Sequence, residues 1–247
     1  MSREVVIPTR GNVEAVLAGL IPHVGTFDSI RIVAATVPAT EWAHRLIETF
    51  QHLGVAVNVE MQQRPGSGPP RAQGIASSAA SHILIMDDDA VLGTPKAIDR
   101  LHAALSGSPW ATPIIRFAQG FADPLPGHTE IWNRVHQDDH RVKAAVAKRG
   151  RGWERVFDLG HDTVTDQLCG ACFYAPRAML IKHWHGLWSW PAGVPGNDSW
   201  LGRRLGYGAV AHEAICYHFG DYGREWDAGA LHEALFENGG HPAWTTE

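Results

Sequence analysis

An α/β fold with a mostly parallel central sheet flanked by helices, Rossmann-like and in a single domain, is predicted by three observations. Strand-like and helix-like stretches alternate from residue 4 onward, the order that builds right-handed β-α-β crossovers. One short apolar run, His82-Ile83-Leu84-Ile85-Met86, is continuous rather than alternating, as strands buried on both faces are. Three aspartates, Asp87, Asp88 and Asp89, follow it directly, at the strand end where open α/β sheets bind ligands.

The elements follow in order. Glu4 to Ile7 reads as a first strand, and Pro8-Thr9-Arg10-Gly11-Asn12 turns into a helix that Asn12 caps. Ser29 to Ala35 is a second strand. Thr40 to Leu53 is an amphipathic helix with Trp42, Leu46, Ile47 and Phe50 on one face, stopped by Gly54. Val55 to Val59 is a third strand, and Gln63 to Pro70 has loop composition. Arg71 to Ala80, rich in small residues, forms a helix that lies close to the sheet. After the aspartates, Thr94 to Leu105 is helical with Pro95 in the first turn, and Trp110 to Phe117 is a strand. Residues 118–167 change character towards Gly, Pro, His and charge, which marks an insertion or lid. Its basic run, Lys143 to Arg155, reads as a solvated face. Leu168 to Leu180 is strand, turn and helix, Asn197 to Leu205 a helix, Ala209 to Phe219 a last strand, and Leu231 to Phe236 a short helix. The chain thus divides into 1–117, 118–167 and 168–247 within one domain.

Bulk composition narrows the class. A chain of 247 residues with 45% apolar content fills a full core, and a net charge of −5 gives no global pull towards nucleic acid or anionic lipid. No apolar stretch approaches the roughly 20 residues of a membrane span. The N-terminus runs straight into a strand, leaving no signal peptide, and three cysteines make no disulfide framework. The expectation is a soluble, cytoplasmic protein. Histidine (15) and tryptophan (10) are plentiful, so proximity of either to a feature carries little weight alone.

The aspartates carry the chemistry. In extended geometry Asp87 and Asp89 point one way and Asp88 the other. Two carboxylates about 6 Å apart repel by roughly 3 kcal/mol at an effective dielectric near 20, a cost that a bound cation offsets. Mg²⁺ and Mn²⁺ suit oxygen ligands, and Mg²⁺ fills its shell with substrate phosphates, so the cluster points to a diphosphate-bearing substrate.

In their order, several motifs resemble the GT-A glycosyltransferases, family 2 in particular. They are Val5-Val6-Ile7-Pro8-Thr9-Arg10-Gly11, Arg71-Ala72-Gln73-Gly74-Ile75, Ile85-Met86-Asp87-Asp88-Asp89, Cys169-Gly170-Ala171-Cys172-Phe173-Tyr174-Ala175-Pro176-Arg177, Asn197-Asp198-Ser199-Trp200-Leu201-Gly202-Arg203-Arg204-Leu205 and Tyr217-His218, spanning roughly residues 4 to 220. The resemblance implies a nucleotide-diphosphate sugar donor and Mn²⁺ or Mg²⁺. It puts Pro8, Thr9 and Arg10 by the base, Arg71, Asp87 and Asp88 on the donor side, and Asp89 and His218 on the metal. Asp198 receives the role of general base, which makes the transfer inverting. Trp188, Trp190 and Trp200 flank the acceptor side, where flat rings stack on sugars or bases. The acceptor itself is open: a saccharide, a small molecule or a modified nucleic-acid base.

Two departures from the family pattern stand out. The segment after the second strand, Ala34-Ala35-Thr36-Val37-Pro38, lacks the aspartate that often reads the base, and the usual Glu-Asp pair is Asn197-Asp198. Two other readings use the same residues: a nucleotidylyltransferase, and a non-catalytic module that binds a sugar or nucleotide. The Cys169-X-X-Cys172 pair, with Cys216, His183 or His185, admits a zinc or redox role but lacks a second matching pair.

Overall fold

β1 (Arg3–Thr9) lies near the middle of a nine-stranded sheet, with Val5, Val6 and Ile7 buried. The computed structural model describes residues 1–11, 16, 19–36, 44, 47–117, 164–165, 168–194 and 196–218. The Asn12 cap, Trp42 and Leu46, the 118–167 insertion apart from residues 164–165, and the 231–236 helix lie outside the described residues.

The remaining strands are β2 (Ser29–Ala34), β3 (Ala56–Met61), β4 (His82–Met86), β5 (Ala90–Leu92), β6 (Ala111–Phe117), β7 (Val164–Thr165), β8 (Cys172–Pro176) and β9 (Gly208–His218). Their spatial order is β3-β2-β1-β4-β8-β6-β9-β5, with β7 beside β9. β1 to β4 pair in parallel, as the alternation of strands and helices predicts. β8 runs against both β4 and β6, while β6 and β9 share the direction of the first four strands. β5 and β7 pair antiparallel to β9. The sheet is therefore mostly parallel, with a reversed strand at its centre.

Both faces of the sheet are covered. Val5, Ile7, Leu84, Met86 and Tyr174 pack on one side with Ile98 and Leu101 of α2 (Ala97–Ala104). Val6, Ile83, Ile85 and Phe173 pack on the other with Ile75 of α1 (Gly68–Ser77) and Leu201 and Leu205 of α5 (Asn197–Leu205). Period-two alternation along each strand divides one apolar run between two cores, which is why β4 shows no polar face. α1 approaches β1 so closely that a Cβ on Gly74 would stand 2.3 Å from Val6 Cγ1. Two short helices, α3 (Arg177–Leu180) and α4 (Trp184–Trp188), link β8 to α5.

Two helix starts differ from expectation. α1 begins at Gly68, inside the stretch expected to be loop, because Pro69 and Pro70 fall in its first turn, where a missing N–H breaks no helical bond. α2 begins at Ala97 rather than Thr94: Lys96 takes the left-handed conformation (φ 53°), which no helix continues through. Thr94 instead accepts a hydrogen bond from Ile215 N at 3.1 Å, pinning α2's approach to β9. Among the described residues no helix is long and apolar enough to cross a membrane.

Candidate active site

The chain turns at the end of β4. Ala90 N donates to Asp87 O at 3.2 Å, closing a turn over the three aspartates, and β5 starts at once. The backbone is not extended here, yet the side chains still divide as alternation predicts. Asp88 points back to β1, where its Oδ2 accepts from Thr9 Oγ1 (2.7 Å) and Arg10 N (2.9 Å). Burial raises the Asp88 pKa, the bonds from Thr9 and Arg10 oppose that, and the neighbouring aspartates add to it, so it stands above the usual carboxylate value.

Asp87 and Asp89 share the other side with His218. Register explains the meeting: β5 pairs Ala90 with His218, the last residue of β9, so the imidazole arrives next to Asp89. His218 Nε2 lies 3.0 Å from Asp89 Oδ1. One ligand atom from each of Asp87, Asp89 and His218 fits within 4.8 Å of the others. Two carboxylates and an imidazole fit a divalent ion of the Mn²⁺ type. Burial lowers the His218 pKa, but the Asp89 bond and charge, with Asp87 behind them, outweigh it and hold it above the ordinary value.

Arg71 is buried at the back of this group (7% exposed), and its guanidinium fork is taken up by the protein itself. Nη2 donates to Asp87 Oδ1 (2.5 Å) and to Gly170 O (3.2 Å), while Nη1 donates to Asn197 Oδ1 (2.6 Å). Burial opposes its charge, and Asp87 and Asp198 more than restore it, so its pKa is raised. Nε is buried without a hydrogen-bond partner among the described residues, so a donor phosphate would meet a guanidinium whose two Nη groups are already bonded.

Asp198 opens α5. Its Oδ2 accepts from Gly170 N at 3.0 Å and its Oδ1 from Ser199 N at 2.8 Å, which fixes the carboxylate plane. Asn197 beside it donates from Nδ2 to Ser67 Oγ at 2.7 Å, joining α5 to the start of α1.

Above the aspartates lies a cleft of about 170 Å³. Pro8, Thr9 and Arg10 form one wall, Gln62, Gly66, Ser67, Pro70 and Arg71 the other, and Asp87, Asp88 and Asp89 the floor. A second hollow of about 340 Å³ shares Arg10, Gln62 and Gly66 and runs on past Ala35, Gln63, Arg64 and Pro65. The two form one trough, and every residue expected on the donor side lines it. Asp198 and His218 are not among its lining residues; His218 is paired with Asp89, which is.

The expected acceptor tryptophans pack mainly against other aromatic rings. Trp188 stacks on Trp184 with centroids 5.7 Å apart, and Trp190 tilts against Trp200 at 5.9 Å. Trp200 lies so flat on Gly186 that a Cβ there would come within 2.0 Å of its ring. None of the three lines the trough; Trp188 comes nearest, with Arg64 of the trough wall stacked 5.7 Å over its ring. Cys169, Cys172 and Cys216 are buried and form no disulfide. Burial pushes the Cys169 thiol far above its ordinary value, and among the described residues no candidate metal group includes a cysteine.

Sequence reasoning missed β5, Gly170 and Ser67. Gly170 had a legible signal, a glycine between two small buried residues, but its role depends on Arg71 arriving from another helix. Three residues of β5 carry no periodicity of their own.

A parallel β-α-β half ending in an aspartate turn, followed by a reversed central strand and a helix that opens on an acid, is the GT-A fold. No protein-family model matches the sequence, and no curated protein matches it. Solved structures do match. TarS 1–349 of S. aureus, crystallised in complex with UDP-GlcNAc, superposes with a TM-score of 0.53 at 12% identity, over 92% of this chain and 62% of that one. The same protein in complex with UDP gives 0.52 at 12%, over 89% and 60%. This chain therefore spans less than two thirds of the length of the TarS chain it matches. Glucosyl-3-phosphoglycerate synthase of Mycobacterium tuberculosis, in complex with Mn²⁺, UDP and phosphoglyceric acid, matches with a TM-score of 0.43 at 19% identity, over 72% of this chain and 57% of that one.

Proposed function

We propose that this chain is an inverting glycosyltransferase that moves a sugar from a nucleoside diphosphate sugar to an acceptor hydroxyl with the help of Mn²⁺ or Mg²⁺. The observation that carries the reading is the convergence of His218 on Asp87 and Asp89, two acids that line the floor of an open trough. Like charges gathered at a ligand-binding sheet end are costly without a cation, and a diphosphate is the substrate group that shares one. TarS, with the same fold, was crystallised with UDP-GlcNAc, which makes UDP sugars the first donors to test.

Asp89 and His218, with Asp87, would hold the ion, which when bound supplies neutralising charge for the departing diphosphate. Pro8, Thr9 and Arg10 border the nucleoside, and the Asp88 latch to Thr9 and Arg10 keeps that wall against the floor. Asp198 accepts the acceptor proton as the hydroxyl attacks the anomeric carbon from the face opposite the diphosphate. One displacement with one base inverts that carbon. Trp188, Trp190 and Trp200 border the acceptor side, whose ligand is a saccharide, a small molecule or a modified nucleic-acid base. Three buried cysteines that form no disulfide fit a reducing, cytoplasmic compartment.

The test is a panel of nucleotide sugars assayed for nucleotide release with Mn²⁺, followed by mass spectrometry of acceptor candidates and NMR of the new anomeric centre. Nucleoside diphosphate and an inverted linkage are expected. Pyrophosphate would mark nucleotidyl transfer instead, and tight donor binding with no turnover on any acceptor would mark a binding module.

A further inference from the structure

We propose that Arg71 is a positioning residue that ties the metal side of the site to the general-base side, Asp198, through the backbone N–H and C=O of Gly170. The inference rests on the glycosyltransferase reading for its consequence in turnover, and on geometry alone for the tie itself. Asp87 Oδ1 accepts from Arg71 Nη2 at 2.5 Å, and the same Nη2 reaches Gly170 O at 3.2 Å. The N–H of that residue donates to Asp198 Oδ2 at 3.0 Å. The second branch of the fork, Nη1, bonds Asn197 Oδ1 at 2.6 Å, next to Asp198 in the chain. Two acids with separate roles, carried by β4 and α5, are thus indexed to one rigid, planar cation that helix α1 supplies.

Three features separate this from an ordinary buried ion pair. A forked planar donor fixes angles as well as distances, which an ammonium does not. Gly170 has no room for a side chain: a Cβ would stand 2.8 Å from Arg71 Nη2 and 3.0 Å from Nη1. Asn197 is a neutral partner, so the guanidinium's charge serves Asp87 and Asp198, and the amide anchors the helix start to Ser67 at 2.7 Å. A shift of the fork therefore moves Asp198 relative to Asp87 while leaving Asp89 and His218, the other cation-holding groups, in place.

The test compares wild type with Arg71→Lys and Gly170→Ala in the full chain, each first checked for cooperative melting. Amide hydrogen exchange reads the tie without any ligand. In Arg71→Lys the Gly170 amide is expected to exchange at least roughly tenfold faster, while the Asp87 amide, donated to Ala171 O at 3.0 Å, changes by less than about threefold. In turnover, both variants are expected to lose on the order of 100-fold in kcat with donor KM within about threefold, because a misplaced base costs rate rather than affinity. Unchanged Gly170 exchange in Arg71→Lys overturns the proposal. So does a loss confined to KM, which would make Arg71 a direct donor contact. If wild type turns over no nucleotide sugar, the functional reading falls by itself, and the exchange rates still decide the tie. If Arg71→Lys does not melt cooperatively, Gly170→Ala decides through its split between kcat and KM.

Discussion

Thr9 and Asp88 hold the two halves of the trough together: the Thr9 hydroxyl donates to Asp88 Oδ2 at 2.7 Å, joining the end of β1 to the turn after β4. The same hydroxyl accepts from Gly11 N at 2.9 Å, so one side chain closes both the β1 turn and the aspartate turn. Thr9→Val keeps shape and removes both bonds. A half-buried carboxylate that loses one of two donors is expected to cost about 1 kcal/mol in chemical denaturation. Donor affinity should fall with it, since Thr9 lines the cleft. Stability within about 0.3 kcal/mol of wild type would show that the latch contributes little.

Asp198 is predicted to act on rate and not on donor binding. Its carboxylate is bonded to Gly170 N and Ser199 N and does not line the nucleotide trough. Asp198→Asn should lower kcat by about 10²–10⁴-fold, the usual scale of general-base catalysis, with donor affinity nearly intact. A fully active variant would remove it as the base.

Gly74 and Val6 make a steric prediction independent of function. The missing Cβ leaves room for Val6 Cγ1 at 2.3 Å, and valine has one strongly preferred rotamer with which to yield. Gly74→Ala is expected to destabilise by about 1–3 kcal/mol, with Val6→Ala in the same chain recovering part of the loss. Additive losses in the double variant would show that the two sites do not share that space.

His23 gives the pH dependence of stability. It is fully buried, its Nε2 faces Leu92 O at 3.4 Å, and burial pulls its pKa from 6.5 down to about 4. The unfolded chain therefore takes up a proton first as pH falls. Stability from this group is complete above pH 6.5, declines as pH drops towards 4, and is flat below. The decline is roughly 3 kcal/mol at about 1.4 kcal/mol per pKa unit. Stability measured across that window should fall by about this much more in wild type than in His23→Gln; parallel pH profiles would remove His23 as the cause.

How much of this was legible in the sequence depends on how local each cause is. β4 and its aspartates were readable because burial on both faces leaves a continuous apolar run, and the acids sit at its end by chain connectivity. The place of Asp198 in the first turn of a helix was readable from the sequence, while its role as a base came only from the family resemblance. The pairing of His218 with Asp89 was visible only through the family resemblance, because it depends on the register of β9 against a three-residue strand. Arg71 was singled out for its position, but its burial was not: that follows from α1 starting at Gly68, through two prolines that read as loop, and from Gly170 clearing space on β8's approach. The tryptophans were assigned by their place beside the expected acceptor side, and what each packs against, whether rings, Gly68, Gly186 or arginines, depends on chain segments that meet only in the fold.

Calorimetric titration of Mn²⁺ with UDP into wild type and Asp89→Asn tests the central claim most directly. Metal-dependent nucleotide binding is expected in wild type, with a loss of at least about tenfold in the variant, as removal of a ligand requires. Equal affinity in the two proteins, or nucleotide binding indifferent to Mn²⁺, would contradict a metal–diphosphate site at the end of β4.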